Sequence, residues 1–273
     1  MGASLQSASM PRTRLDIAVV ENGLLPTRAR AQAAILAGMV RVDGVKVEKP
    51  SYQVEAEAAI ELAERPPFVS RGGEKLAGAL DDFGIDVTDC DVLDLGASTG
   101  GFTDCVLKRG ARSVIAVDVG YGQLDWALRN DPRVTVLERT NARHLTPDDL
   151  PRRPDLVVCD VAFISVATIW PSVVPLMADA FRAVVLVKPQ FEVGRSRVGS
   201  GGVVRDPEAH RDAIIQVARA IDHGAAVIRG IAPSHLRGPK GNREFFIHAD
   251  SGMSGSEGVD IASAATTACE VES

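Results

Sequence analysis

Apolar and polar residues alternate on both sides of an Asp-Gly pair in Val40-Arg41-Val42-Asp43-Gly44-Val45-Lys46-Val47, which predicts a β-hairpin. Upstream, Thr13-Arg14-Leu15-Asp16 reads as a capping box that opens a short helix through Val20, closed by Gly23. A second helix is expected after Thr27, from Arg28 to Ala37, with Gly38 as its stop. Its Ala31, Ala34 and Ile35 face inward, while Arg28 and Gln32 share another face at i,i+4 spacing. The hairpin valines are expected to pack on these helices. Residues 54–65 complete a strand. Arg65-Pro66-Pro67 then marks a boundary, because two prolines forbid helix and stiffen the joint.

Beyond the prolines the pattern becomes strands alternating with helices. Leu76, Ala79, Leu80 and Phe83 share one side of a helix, and Val92, Leu93 and Leu95 form an apolar strand. Phe102, Cys105 and Val106 recur at helical spacing up to Gly110. Further strands are predicted at Ser113–Asp118, Val134–Leu137, Asp155–Asp160, Ala183–Val187, Ala225–Ile231 and Glu244–Ile247, with helices at Leu124–Arg129 and 207–223. Such alternation implies an α/β fold with a mostly parallel, doubly wound sheet whose functional residues gather at its carboxyl edge. From about Asp250 the chain is Ser, Gly, Ala, Thr and Glu, and the expectation there is disorder.

A chain of 273 residues holds one large domain or two small ones. Its net charge of −6 speaks against a polyanion partner, but the distribution changes that picture. Through Gln53 there are seven basic and four acidic residues, whereas the segment from Asp250 holds five acids and no Lys or Arg. A basic amino-terminal module therefore fits either a solvated face or a nucleic-acid face. Residues 1–11 lack the apolar core of a secretory signal, and no run of about 18 apolar residues exists to span a membrane as a helix. Cys90, Cys105, Cys159 and Cys269 are scattered, without metal-ligand spacing, and read as reduced thiols of a cytoplasmic protein.

The candidate chemistry centres on Asp94-Leu95-Gly96-Ala97-Ser98-Thr99-Gly100-Gly101-Phe102, a strand end, a glycine turn and a helix start. The glycines do not match the dinucleotide fingerprint G-x-G-x-x-G, and Phe102 stands where a P-loop needs lysine. An acid at the strand end repels phosphate and suits a cation such as S-adenosylmethionine, which carries an ammonium and a sulfonium. Asp118 ends the next strand, about 20 residues on, where an acid can take both ribose hydroxyls. Asn141 is an adenine contact or a turn residue. Lys188 leaves an apolar strand, and Asp160 ends its neighbour. Burial lowers a lysine pKa and a carboxylate raises it, so the pair is a proton-handling device or a plain ion pair. Lys75, in the first turn of its helix, opposes the helix dipole; spacing alone leaves it a surface lysine.

Several segments together resemble the TlyA family of rRNA 2′-O-methyltransferases, also labelled haemolysins. They are Ser70-Arg71-Gly72-Gly73-Glu74-Lys75-Leu76, the stretch from Asp94 to Phe102, Asp118-Val119-Gly120-Tyr121-Gly122-Gln123, Glu138-Arg139-Thr140-Asn141-Ala142-Arg143, Asp160-x-x-Phe163-Ile164-Ser165, Lys188-Pro189-Gln190-Phe191-Glu192 and Gly241-Asn242-x-Glu244. The stretch from Thr27 to Gly44, with Lys49-Pro50, is similar to the alpha-L RNA-binding module. At the junction, Arg65-Pro66-Pro67-Phe68-Val69 departs from the family's Arg-Ala-Trp-Val pattern and keeps an aromatic at Phe68.

The resemblance implies an α+β alpha-L domain over 12–64, a linker over 65–69 and an FtsJ-like Rossmann methyltransferase over 70–249, and composition leaves a disordered tail over 250–273. It implies S-adenosylmethionine as cofactor, held by Asp94, Gly96, Ala97, Ser98, Thr99, Gly100, Gly101, Phe102, Asp118, Asn141 and Asp160, and no metal. A catalytic Lys-Asp-Lys-Glu tetrad falls at Lys75, Asp160, Lys188 and Glu244. Arg14, Arg28, Gln32, Arg41, Lys46 and Lys49 become contacts to ribosomal RNA, by backbone and shape. The expected activity is 2′-O-methylation of cytidine in rRNA of ribosomal subunits. The rival readings are a membrane-active cytolysin and a non-catalytic RNA-binding protein.

Overall fold

The computed structural model describes residues 12–63, 66–223, 226–251 and 257–271, and the expectation for residues 1–11 lies outside these. The chain divides at the double proline into two compact units, Met1–Pro66 and Pro67–Ser273.

The first unit runs β1 (Arg12–Arg14), α1 (Leu15–Glu21), α2 (Arg28–Leu36), β2 (Val40–Val42), β3 (Val45–Lys46), β4 (Gln53–Glu55) and β5 (Ile60–Leu62). β2 pairs antiparallel with β3 and β5, and β1 with β4. Leu15, Val19, Ala31, Ile35 and Val40 form a fully buried core. Thr27 caps α2 by accepting from Arg30 N at 3.3 Å. Two expectations fail. The capping box does not form, since α1 has no side-chain cap and Asp16 is drawn into an ion cluster instead. Val45 is 66% exposed, because β3 is the edge strand and lies beyond the helices that cover Val40 and Val42.

The second unit runs α3 (Arg71–Asp82), β6 (Asp91–Leu95), α4 (Gly101–Lys108), β7 (Ser113–Val117), α5 (Trp126–Arg129), β8 (Val134–Leu137), β9 (Leu156–Cys159), α6 (Val166–Val173), β10 (Arg182–Val187), α7 (Pro189–Glu192), α8 (Pro207–His223), β11 (Val227–Pro233), β12 (Phe245–Asp250) and α9 (Ile261–Glu270). Seven strands form one sheet in the order β11-β12-β10-β9-β6-β7-β8. The five from β10 to β8 are parallel, and β12 lies antiparallel between β10 and β11. No helix crosses over between β11 and β12, so the chain returns as an antiparallel strand. The winding direction reverses between β6 and β9, which opens a crevice outside their carboxyl ends.

The parallel strands β10, β9, β6 and β7 are buried on both faces, so alternate residues enter different cores. Val92, Val158, Val184 and Leu186 pack under α3 and α4, while Leu93, Val157, Val185 and Val187 pack under α6 and α8. Sequence patterning missed α6, whose Pro171 reads as a breaker. The expected disorder from Asp250 is wrong over Ile261–Glu270. Asp260 caps that helix through Ser263 N at 2.6 Å, and a stripe of alanines, with Ala265 and Ala268 buried, lets it lie close on α8 and β11. Arg243 closes its far end, donating to Cys269 O at 2.8 Å and Val271 O at 2.6 Å. The expected linker is shorter than 65–69. Val69 N donates to Asp104 at 2.9 Å, Lys108 donates to Pro67 O at 2.7 Å, and both bonds lie inside the second unit.

Candidate active site

The site is assembled from strand ends. β6 delivers Asp94 and the glycine turn, β7 Asp118, β9 Asp160 and β10 Lys188. Because β12 runs antiparallel to β10, with Phe245 opposite Val187, its first residues lie at the carboxyl edge of the parallel strands. Glu244 therefore arrives beside Lys188 from the opposite chain direction. Lys75 comes from the second turn of α3.

Two ion pairs result. Lys75 Nζ lies 2.5 Å from Glu244 Oε2, and both residues are buried. Lys188 Nζ lies 2.5 Å from Asp160 Oδ1, a charge contact outside hydrogen-bonding geometry. Lys75 and Asp160 line one cavity of about 120 Å³, and Glu244 feels the charges of Lys75, Lys188 and Asp160 together. The four residues expected to act together thus converge. Burial pushes the Glu244 carboxyl above its ordinary range, against the pull of Lys75. Among the described residues Glu244 Oε1 accepts no hydrogen bond, and it is walled by Gly238, where a Cβ would come within 2.0 Å of it.

The same cavity is lined by Ser70, Gly72, Gly96, Ala97, Ser98, Thr99, Gly101 and Phe102. Gly96 has φ +84°, and a Cβ there would meet the Asp160 carbonyl oxygen at 2.6 Å, so only glycine permits this approach of turn to strand end. Asp94 sits beneath the turn, fully buried, and accepts from Thr103 Oγ1 at 2.6 Å, while its other oxygen accepts nothing from the described residues. Burial raises its pKa to about 7. Asp118 accepts from Ser98 N at 2.8 Å and Gly120 N at 2.6 Å, so β7 fixes the glycine turn. Asn141 is exposed and caps its own turn through Arg143 N at 3.0 Å. Asp94, Gly100, Asp118 and Asn141 are outside the lining of this cavity. Among the described residues, no cluster of metal-ligand side chains occurs.

Ser70 and Gly72 escaped the sequence reading of the site, although they precede Lys75 in one of its motifs. Glu192 also escaped it. Buried, it accepts from Ser165 Oγ at 2.5 Å and Val166 N at 2.8 Å, which ties the segment after Lys188 to the segment after Asp160. Phe163, three residues after Asp160, is 91% exposed, and its ring centroid lies 5.1 Å from that of Phe191, three residues after Lys188.

In the first unit, Arg14, Arg28 and Gln32 meet at Asp16. Arg41 and Lys46 face each other across the hairpin, with Lys46 paired to Glu48, and Lys49 is exposed. The basic residues thus occur as a helix cluster and a hairpin pair.

The FtsJ-like methyltransferase model matches residues 68–251, and the S4 domain model matches residues 13–60. The chain is 49% identical over 239 residues to the 16S/23S rRNA (cytidine-2′-O)-methyltransferase TlyA of Mycobacterium tuberculosis, covering 86% of this chain and 89% of that one. It is 42% identical over 239 residues to Hemolysin A of Brachyspira hyodysenteriae, covering 86% and 98%. A solved structure from Streptococcus thermophilus that bears the hemolysin name superposes with a TM-score of 0.73 at 36% identity, covering 96% of this chain and 95% of that one.

Proposed function

The chain belongs to the TlyA family of FtsJ-like methyltransferases, and from that footing we propose that it methylates the ribose 2′-oxygen of cytidine in ribosomal RNA, using S-adenosylmethionine. The observation that carries this reading is the meeting of Lys75–Glu244 and Lys188–Asp160 beside a glycine-walled cavity.

The residues suit that cofactor. The turn from Gly96 to Phe102 keeps bulky side chains off one wall of the cavity, and Asp118 and Asp160 flank the turn with carboxylates that favour a cation. When bound, the group supplies a methyl made electrophilic by its sulfonium. Lys188 holds the 2′-hydroxyl and takes its proton on the lone pair of the uncharged amine as the oxygen attacks, and Asp160 orients Lys188. Lys75 and Glu244 form the buried far wall and keep water out, so that positioning does much of the work. A target cytidine must leave its stack to reach this crevice, and the open face of Phe163 suits an extruded base. The S4 unit supplies the docking surface on structured RNA, and the enzyme works where ribosomal subunits are, in the cytoplasm.

The hemolysin name borne by some relatives is the second reading. No helix among the described residues is long and apolar enough to cross a membrane, and the apolar stripe of α8 is buried in the core. The deciding experiment maps 2′-O-methylated cytidines on rRNA from cells with and without the gene. The expected result is at least one cytidine that loses its methyl group in the deletion strain and regains it with the wild-type copy. Identical maps would refute the reading.

A further inference from the structure

Asp16 is an acid with no exposed surface at the heart of a basic cluster. Arg14 approaches it in a fork, Nε to Oδ1 and Nη2 to Oδ2, each at 3.0 Å. Arg28 Nε donates to Oδ2 at 2.9 Å and Gln32 Nε2 donates to the same oxygen at 2.7 Å. The backbone at this position is itself fixed, since Leu15 N donates to Tyr52 O at 2.8 Å and Asp16 N to Pro50 O at 3.1 Å. The outer ends of the two arginines stay in solvent, with side-chain exposures of 38% and 54%. Among the described residues, no acceptor meets Arg14 Nη1 or the two terminal nitrogens of Arg28.

A buried carboxylate is tolerated only when it is paired, so stability accounts for Asp16 having partners. It does not account for partners that are long, exposed arginines with their remaining donors turned outward. Free arginine side chains lose much rotamer freedom on gripping a ligand, and a group already held in place does not lose it again. Guanidinium donors held in a plane match the oxygens of a phosphate.

We infer that Asp16 is a positioning residue that presets Arg14 and Arg28, with Gln32 beside them, as a clamp for a backbone phosphate of structured RNA. This rests on the proposed docking of RNA by the S4 unit and adds the side chain that arranges the docking face. The inference carries an unusual sign. Neutralising Asp16 makes the face more positive by one charge, which by long-range electrostatics tightens binding to a polyanion. The clamp requires the opposite, because the arginines lose their common anchor.

The test compares full-length wild type, Arg28→Ala, Asp16→Asn and Asp16→Glu. Affinity is read by fluorescence anisotropy with a labelled RNA hairpin and by sedimentation with salt-washed ribosomal subunits. Side-chain order is read from ¹⁵N relaxation of the arginine Nε–H groups, and folding from the backbone amide spectrum. The expectation is that Arg28→Ala weakens binding, and that Asp16→Asn weakens it on the order of ten-fold while Arg14 and Arg28 Nε–H become mobile in an otherwise native spectrum. If Arg28→Ala binds like wild type, the reading of this face as an RNA surface fails. If Arg28→Ala weakens binding but folded Asp16→Asn binds equally or more tightly, the clamp alone is overturned. Should Asp16→Asn unfold the unit, Asp16→Glu decides, because it keeps the charge and shifts it by one methylene. Mobile arginines with wild-type affinity in that variant overturn the proposal, and mobile arginines with reduced affinity sustain it.

Discussion

Lys75 and Glu244 lie 169 positions apart in the chain and 2.5 Å apart in the folded protein. Removing one partner leaves a buried charge without compensation, at a cost of about 3–5 kcal/mol. Lys75→Met should therefore lower the unfolding midpoint sharply, and Glu244→Gln in the same chain should recover most of that loss. Activity should stay low in the double variant, because the polar wall is gone while the fold is restored. Thermal melts paired with methyl-transfer assays on ribosomal subunits separate the two roles, and a fully active double variant would contradict the catalytic reading.

Lys188→Ala should lower the rate of methyl transfer by roughly 10²–10⁴-fold, the usual range for losing a positioned proton-handling group. Binding of S-adenosylmethionine, measured by calorimetry, should change little, since the cavity lining does not include Lys188. Normal transfer by this variant defeats the assignment.

Stability should carry the signature of Asp94. Its carboxyl keeps a proton up to about pH 7 in the folded chain because it is buried. In the unfolded chain it releases the proton near ~3.9. Between those values the folded state binds more protons, so this contribution is complete in acid and is lost as pH rises through about 7. Raised carboxyls at Glu192 and Glu244 act in the same direction, and the depressed Asp16 acts in the opposite one. Asp94→Asn should flatten the decline in thermal midpoint toward neutral pH, by an amount on the order of a few kcal/mol. Parallel pH profiles of the two proteins would dismiss the effect.

Gly96→Ala should abolish cofactor binding rather than merely weaken the fold. The new Cβ meets the Asp160 carbonyl at 2.6 Å in a backbone conformation that costs about 1–2 kcal/mol for a residue with a side chain. Relief of the clash moves Asp160 and the turn together. Calorimetric titration with S-adenosylmethionine checks this, and wild-type affinity would show that the turn yields without consequence.

Lys188 and Asp160 were legible because each ends an apolar run, and parallel strand ends converge on one edge. Glu244 was legible only through resemblance. Taken as the first residue of a final strand, it gains its position from the antiparallel return of β12, which periodicity does not encode. Asp16 was misread for a related reason. A residue in a local capping pattern met arginine and glutamine partners up to 16 positions away, and local rules carry no information about such partners. The carboxy-terminal helix was hidden by composition, since alanine and serine mark both disorder and a closely packed helix.

That helix rests its last carbonyls on Arg243, and the next residue is Glu244. The helix Ile261–Glu270 thus acts as a doorstop behind the strand that follows Glu244. Fusion partners and affinity handles placed after that helix load a contact one residue from Glu244, so an assay of such a fusion measures the attachment as well as the enzyme.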